Sequence, residues 1–244
     1  MGFFSLRILF FISFFCLKTS IYALNSVKNP QEITVVGTGY VGLVLGTCLA
    51  EIGHKVTCCD VDFHKISSLQ QGQIPIYEIG LEELVKKNFA QNRLFFTTSL
   101  ENAVRESNVI FITVGTPETL SGEANLEYVF AVAKMIGENL RTFKTVFVKS
   151  TVPMGTVLKI KEVIGEHNTA KTPFSIGYAP EFLREGSSVH DFMHPDRVVI
   201  GAEDPQTSQL FTEIVQPILD DGAKICTTSI ASAEMIKYAS NSFL

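Results

Sequence analysis

Several groups of residues in this sequence have types and spacings suited to chemistry. The first is Gly37-Thr38-Gly39-Tyr40-Val41-Gly42, a G-x-G-x-x-G loop between an apolar run at 33–36 and a helical stretch at 41–52. In such a loop the first glycine permits a tight turn, the second lets the backbone approach a pyrophosphate, and the third lets helix and strand pack closely. The helix start presents unpaired N–H groups and a partial positive charge to the phosphates. Tyr40 and Val41 sit inside the loop, against the same ligand. Asp60 ends the second apolar run, where a carboxylate accepts hydrogen bonds from ribose hydroxyls and repels a 2′-phosphate, so NAD is expected rather than NADP. Asp62 lies past that run and suits a helix N-cap. Lys65, one turn into the next helix, either reaches an adenosine-side group or is a solvated lysine.

Further along, Thr116-Pro117 and Ser150-Thr151 each follow a strand at the carboxyl edge, where open α/β sheets bind ligands. Thr151 offers a hydroxyl to a cofactor or a catalytic water, although either threonine could equally cap the helix that follows. Glu181 and Glu185 flank Phe182-Leu183 just after another strand. A carboxylate against that apolar wall is expected to have a raised pKa and to suit acid–base work, the alternative being a charged surface loop. Lys237 and Asn241 lie four apart on one helix face, a donor pair suited to a developing oxyanion, or else a solvated face. Met235, Ala239 and Phe243 form a separate stripe on that helix that is expected to pack as core.

These groups need elements to position them. Strands are expected at 33–36, 55–59, 109–114, 145–149, 174–178 and 198–200, and helices at 41–52, 63–71, 81–88, 99–106, 126–140, 157–166, 207–219 and 231–243. The alternation implies right-handed crossovers and a Rossmann-like, doubly wound parallel α/β sheet. Residues 31–228 form the expected dinucleotide-binding domain, with the start of a long connecting helix at 229–244.

Bulk properties narrow the classes. The 244 residues are 46% hydrophobic with a net charge of −5, enough for one large domain and without the basic runs of a nucleic-acid binder. Five cysteines, an odd number in no zinc spacing, read as free thiols of a reducing compartment, so no metal is expected. Residues 1–24 stand apart: Arg7, an apolar run at 8–17, and the small-residue stretch Ser20-Ile21-Tyr22-Ala23. They read as an export signal, a membrane tether, or the product of a start placed too far upstream. An NAD-dependent domain is expected in the cytoplasm, which conflicts with the first two.

Beyond the glycine loop, the stretches Gly72-Gln73-Ile74-Pro75-Ile76-Tyr77-Glu78, Val114-Gly115-Thr116-Pro117 and Lys149-Ser150-Thr151-Val152-Pro153-Met154-Gly155-Thr156 occur in order. They are followed by Ala179-Pro180-Glu181-Phe182-Leu183-Arg184-Glu185-Gly186, Pro195-Asp196-Arg197-Val198-Val199-Ile200-Gly201 and Ala233-Glu234-Met235-Ile236-Lys237-Tyr238-Ala239-Ser240-Asn241. Over residues 32–244 the chain resembles the UDP-glucose/GDP-mannose dehydrogenase family, and the last two stretches resemble its UDP-glucose branch. Ile79 departs from the proline common there.

The resemblance implies a Rossmann-like NAD domain, a connecting helix and a C-terminal nucleotide-sugar domain that this sequence lacks. It implies oxidation of the C6 alcohol of UDP-glucose to a carboxylate with two NAD, through an aldehyde captured by a cysteine in a glycine-rich stretch absent here. By the same resemblance Glu181 assists the hydrolytic water, Phe182, Leu183 and Glu185 belong to the sugar pocket, and Lys237 and Asn241 flank the C6 oxygen. A homodimer is implied for the full-length form only. Without a covering domain, Lys237 is expected to be exposed. The alternatives are an NAD-binding module without turnover, or a sister dehydrogenase acting on GDP-mannose or a UDP-N-acetylhexosamine.

Overall fold

The computed structural model describes residues 24–243, so the signal-like segment lies outside the described residues apart from Leu24. The strands are β1 Glu32–Val36, β2 Lys55–Cys59, β3 Leu94–Thr97, β4 Val109–Ile112, β5 Lys144–Val148, β6 Phe174–Tyr178, β7 Arg197–Ala202 and β8 Lys224–Thr228. The helices are α1 Tyr40–Glu51, α2 Phe63–Gln70, α3 Leu81–Ala90, α4 Leu100–Glu106 and α5 Glu127–Asn139, then α6 Thr156–His167, α7 Ser188–Met193, α8 Pro205–Ile214, α9 Gln216–Asp220 and α10 Ile230–Phe243. None of these helices is long and apolar enough to cross a membrane.

The strands form one sheet in the order β3-β2-β1-β4-β5-β6-β7-β8. The first six positions are the doubly wound arrangement, whose order reverses between β1 and β4 and opens a crevice at their carboxyl ends. β4 and β5 are buried along their whole length, as expected of parallel strands covered by helices on both faces. Cys58 and Cys59, adjacent on β2, point into the two separate cores on opposite faces.

The structure departs from the expected all-parallel sheet at β7, which pairs antiparallel with β6, and β8 follows β7 in parallel. That reversal has a functional consequence. β7 meets β6 only at Gly177 and Tyr178, and the end of β8 at Thr228 lies level with Gly201, so α10 starts beside the carboxyl end of β6 and brings Lys237 to Glu181. β3, β8 and α7 are additional to the expected elements. The expected helix at 207–219 is two, because Pro217 has no N–H to continue the α8 ladder and α9 restarts around it. On α10 the expected core stripe is wrong: Met235 and Phe243 are exposed, and Ile230, Ala233, Glu234 and Lys237 face inward.

Candidate functional site

The glycine loop lies at the β1–β4 switch point. Gly37 has φ of 100°, and an added Cβ would lie 3.0 Å from the Thr113 carbonyl oxygen. Thr113 Oγ1 in turn donates to the Val36 and Gly37 carbonyls at 2.8 and 2.9 Å, fixing the turn. A Cβ on Gly42 would fall 1.8 Å from the Gly37 oxygen, so only hydrogen fits where α1 crosses the strand end. At Gly39 the situation is opposite: nothing lies within 4 Å of a built Cβ. Gly39 caps α1, which has no side-chain cap and no acidic residue in its first turn. An uncapped helix start facing open space is what a dinucleotide pyrophosphate requires, and the residues fit that group. Tyr40 and Val41 are half-buried beside it.

Asp60 follows β2 next to this loop. Its Oδ2 accepts from Thr38 N and Thr38 Oγ1, both at 2.8 Å, and from Lys65 Nζ at 3.0 Å, while Oδ1 accepts from Asp62 N at 3.0 Å. Burial alone would push its carboxyl up, but these donors outweigh it and hold the group below the usual carboxylate range. Asp60 is therefore an anchored anion beside the loop. Lys65 is half-buried and ion-paired with Asp60. Asp62 caps α2, accepting from Lys65 N at 3.0 Å.

The second half of the site is built on the carboxyl ends of β4, β5 and β6. Thr116 Oγ1 donates to the Thr151 carbonyl at 2.8 Å, tying the two edge loops together instead of capping a helix. Lys149, at the end of β5, is buried, and its Nζ donates to the carbonyls of Ala179 and Pro180 at 3.1 and 3.3 Å. Burial pushes its ammonium pKa down to about 8, against the pull of Glu181 and with the push of Lys237. Those two carbonyls immediately precede Glu181.

Lys237 reaches the same place from α10. It is only 4% exposed, which corrects the expectation that it is solvated in this chain. Its Nζ donates to the Glu181 carbonyl at 2.7 Å and lies 2.9 Å from Glu181 Oε1. Glu181, rather than standing alone against an apolar wall, is ion-paired, and its Oε2 also accepts from Leu183 N at 2.6 Å. The Phe182 ring has Lys237 Nζ 5.4 Å and the Arg197 guanidinium 5.2 Å from its centroid. Glu234, fully buried one turn earlier, accepts from Gly155 N at 2.7 Å and Val157 N at 2.9 Å, caps α6 and fixes the depth of α10.

The structure thus brings Thr116 to Thr151, and Glu181 and Phe182 to Lys237. Glu185 and Asn241 are exposed, and no hydrogen bond among the described residues ties either into the Lys237–Glu181 pair. A cavity of about 720 Å³ opens beside the pair, lined by Lys149, Glu181, Phe182, Arg197, Phe111 and Phe211 among others. Sequence reasoning passed over Lys149, Arg197 and Glu234, although each lies in one of the stretches that carried the resemblance.

The family model described as the NAD binding domain of the UDP-glucose/GDP-mannose dehydrogenase family matches residues 31–219. The chain is 49% identical over 214 residues to the UDP-glucose 6-dehydrogenase TuaD of Bacillus subtilis, covering 88% of this chain and 46% of that protein. It is 46% identical to a UDP-glucose 6-dehydrogenase of Rhizobium meliloti, of which it covers 49%. Among solved structures, a UDP-glucose dehydrogenase from Pyrobaculum islandicum superposes with a TM-score of 0.85 at 38% identity, over 88% of this chain and 50% of that one. A GDP-mannose dehydrogenase from Pseudomonas aeruginosa superposes with a TM-score of 0.83 at 39% identity, over 87% of this chain and 49% of that one. The chain spans about half the length of the curated relatives it matches. With its glycine loop, anchored Asp60 and matched residues 31–219, the chain belongs to the UDP-glucose/GDP-mannose dehydrogenase family and carries that family's NAD-binding domain.

Proposed function

We propose that this chain is the NAD-binding half of a UDP-glucose 6-dehydrogenase. It holds the dinucleotide itself and contributes part of the sugar-oxidising site to a nucleotide-sugar domain. The observation that carries the reading is the placement, at one sheet edge, of an uncapped α1 next to Asp60 and of the Lys237–Glu181 pair, whose Glu181 lines a cavity. Bound NAD would supply the hydride acceptor, held by the residues 37–42 loop, Asp60 and the Thr116 and Thr151 edge.

In this reading Lys237 stabilises negative charge on the C6 oxygen of UDP-glucose. An ammonium offers a further N–H beyond those given to Glu181, and a low-dielectric site strengthens that bond as charge develops. Glu181, ion-paired with Lys237, helps a water hydrolyse the oxidised product. Asn241 and Glu185 line the open side facing the nucleotide-sugar domain. The second reading is an NAD-binding module without turnover of its own, which the burial of Cys48, Cys58 and Cys59 supports.

Two measurements test the proposal. NAD should bind the 244-residue chain in calorimetry. A chimera joining this chain to the C-terminal half of the Bacillus subtilis relative should form NADH from UDP-glucose. A folded chimera that binds NAD but never turns over would remove the catalytic part of the proposal.

A further inference from the structure

The stretch Gly72-Gln73-Ile74-Pro75-Ile76-Tyr77-Glu78 is one of those that carry the resemblance, yet the function proposed above uses none of it. Tyr77 is turned to solvent, but Glu78 is 5% exposed. A buried carboxylate is costly unless both oxygens are satisfied. Glu78 Oε1 accepts from Gly186 N at 2.6 Å and Oε2 from Ser188 N at 3.0 Å, across more than a hundred residues of chain. Burial pushes its carboxyl up, yet these donors and the Tyr40 hydroxyl beside it prevail and keep it below the usual range.

The partners decide what the carboxylate does. Gly186 and Ser188 end the loop that begins at Glu181. Tyr40 is the first residue of α1, whose start faces the pyrophosphate site, and its hydroxyl donates to the Arg184 carbonyl at 2.9 Å in the middle of the same loop. Arg184 is folded back on Asp191 at 2.7 and 3.0 Å, and Ser187 Oγ donates to Asp191 at 3.0 Å. The sugar-facing loop is therefore held at its start by Lys237, in its middle by Tyr40 and at its end by Glu78. Two of these three holds touch the glycine-rich loop or the group packed on it.

We propose that Glu78 is a positioning residue that locks the loop at 181–188 against Tyr40, so that dinucleotide binding and the order of the sugar-facing loop are coupled. The proposal rests on the function proposed above for the two loops. Because coupling between sites is reciprocal, an ordered loop also favours the bound dinucleotide.

The test is amide hydrogen exchange on the 244-residue chain with and without NAD, alongside calorimetry on the same samples. In the unsubstituted protein NAD should slow exchange at 182–188. Glu78→Gln keeps the shape but sets an amide N–H against one of the two donors. It should speed exchange at 182–188 by at least about tenfold, the loss of a charge-assisted hydrogen bond, and leave β1, β4 and β5 at their original rates. It should also abolish the NAD-dependent slowing. Bound NAD with no slowing at 182–188 in the unsubstituted protein overturns the coupling. Unchanged exchange in Glu78→Gln, or an equal rise throughout the sheet, overturns the positioning role. Absence of NAD binding strikes the cofactor assignment instead, and the NAD-free comparison still decides the role of Glu78. Should Glu78→Gln not fold, Tyr40→Phe serves: it should lose the NAD-dependent slowing, and slowing equal to the unsubstituted protein's overturns the proposal.

Discussion

Lys237 Nζ is bound to both the main-chain carbonyl and the carboxylate of Glu181, 56 residues earlier in the chain, with both side chains largely withdrawn from water. Backbone and side-chain contacts together fix the lysine more firmly than a carboxylate alone would. The start of the sugar-facing loop and the depth of α10 are then set by one another. A site residue of this kind also contributes to the fold, and the two roles separate in experiment.

Lys237→Ala in the 244-residue chain is expected to lower stability by about 3 kcal/mol, because it leaves the Glu181 carboxylate buried without its partner. Lys237→Met, which refills the volume, should lose a similar amount for the same reason. Urea unfolding gives the comparison. A loss under about 0.5 kcal/mol, the scale of a surface substitution, would return Lys237 to the class of solvated lysines.

The glycine loop, Asp60 and the edge threonines were legible in the sequence because they depend on local turn chemistry and on the ends of strands, both of which leave short-range patterns. What was not legible depends on β7 and β8. A strand of alternating apolar residues carries no mark of its direction or register, and the pairing of β7 with the end of β6 and of β8 with β7 is what starts α10 beside the site. With α10 taken as an ordinary amphipathic helix, Met235 and Phe243 looked like core and Lys237 like surface. The helix instead buries a glutamate and a lysine, each answered by a partner from a distant segment, Gly155 and Val157 for Glu234 and Glu181 for Lys237. Periodicity cannot reveal such pairs. Glu78 and Lys149 were hidden for the same reason, since their partners are backbone groups far along the chain.

The chain should bind NAD more tightly than NADP. Asp60 is held as an anion by Thr38, Asp62 and Lys65, so a 2′-phosphate would approach a fixed negative charge. Asp60→Ala should weaken NAD binding by about 1–3 kcal/mol, the cost of unmatched hydrogen-bond partners. Calorimetric titration of both cofactors checks the preference, and equal affinities contradict it.

Stability should decline as the pH falls below about 6.5, through the buried His54. Its Nδ1 accepts from Gln31 N at 3.0 Å, so the neutral ring carries its proton on Nε2 and donates to the Ile214 carbonyl at 2.9 Å. Burial lowers its pKa more than the Ile214 carbonyl raises it. The unfolded chain then binds the proton first, so the stabilisation is complete above the unfolded pKa and is lost as pH falls from there through the folded pKa, by at most about 1.4 kcal/mol per pH unit. Histidine ring NMR with parallel denaturant curves tests this. A His54 ring titrating at 6.5 or above in the folded protein contradicts it.

The purified 244-residue chain should form no sustained NADH from UDP-glucose. Oxidation of an alcohol to a carboxylate removes four electrons as two hydrides, and the aldehyde formed between them must be retained. A thiolate retains it as a covalent adduct, and only an accessible thiolate can attack. Cys48, Cys58 and Cys59 are buried in the cores on α1 and β2, where burial raises all three thiols, Cys59 to about 12. Cys226 is exposed, but it lies on the β8 edge strand and is absent from the lining of the cavity at Glu181. None of these thiols can hold an aldehyde at the Lys237–Glu181 pair. Absorbance at the NADH band, followed over many turnovers with UDP-glucose in excess, is the measurement. A steady rise that survives Cys226→Ser would mean that this chain oxidises the sugar without its exposed thiol, and the need for a further nucleotide-sugar domain would have to be reconsidered.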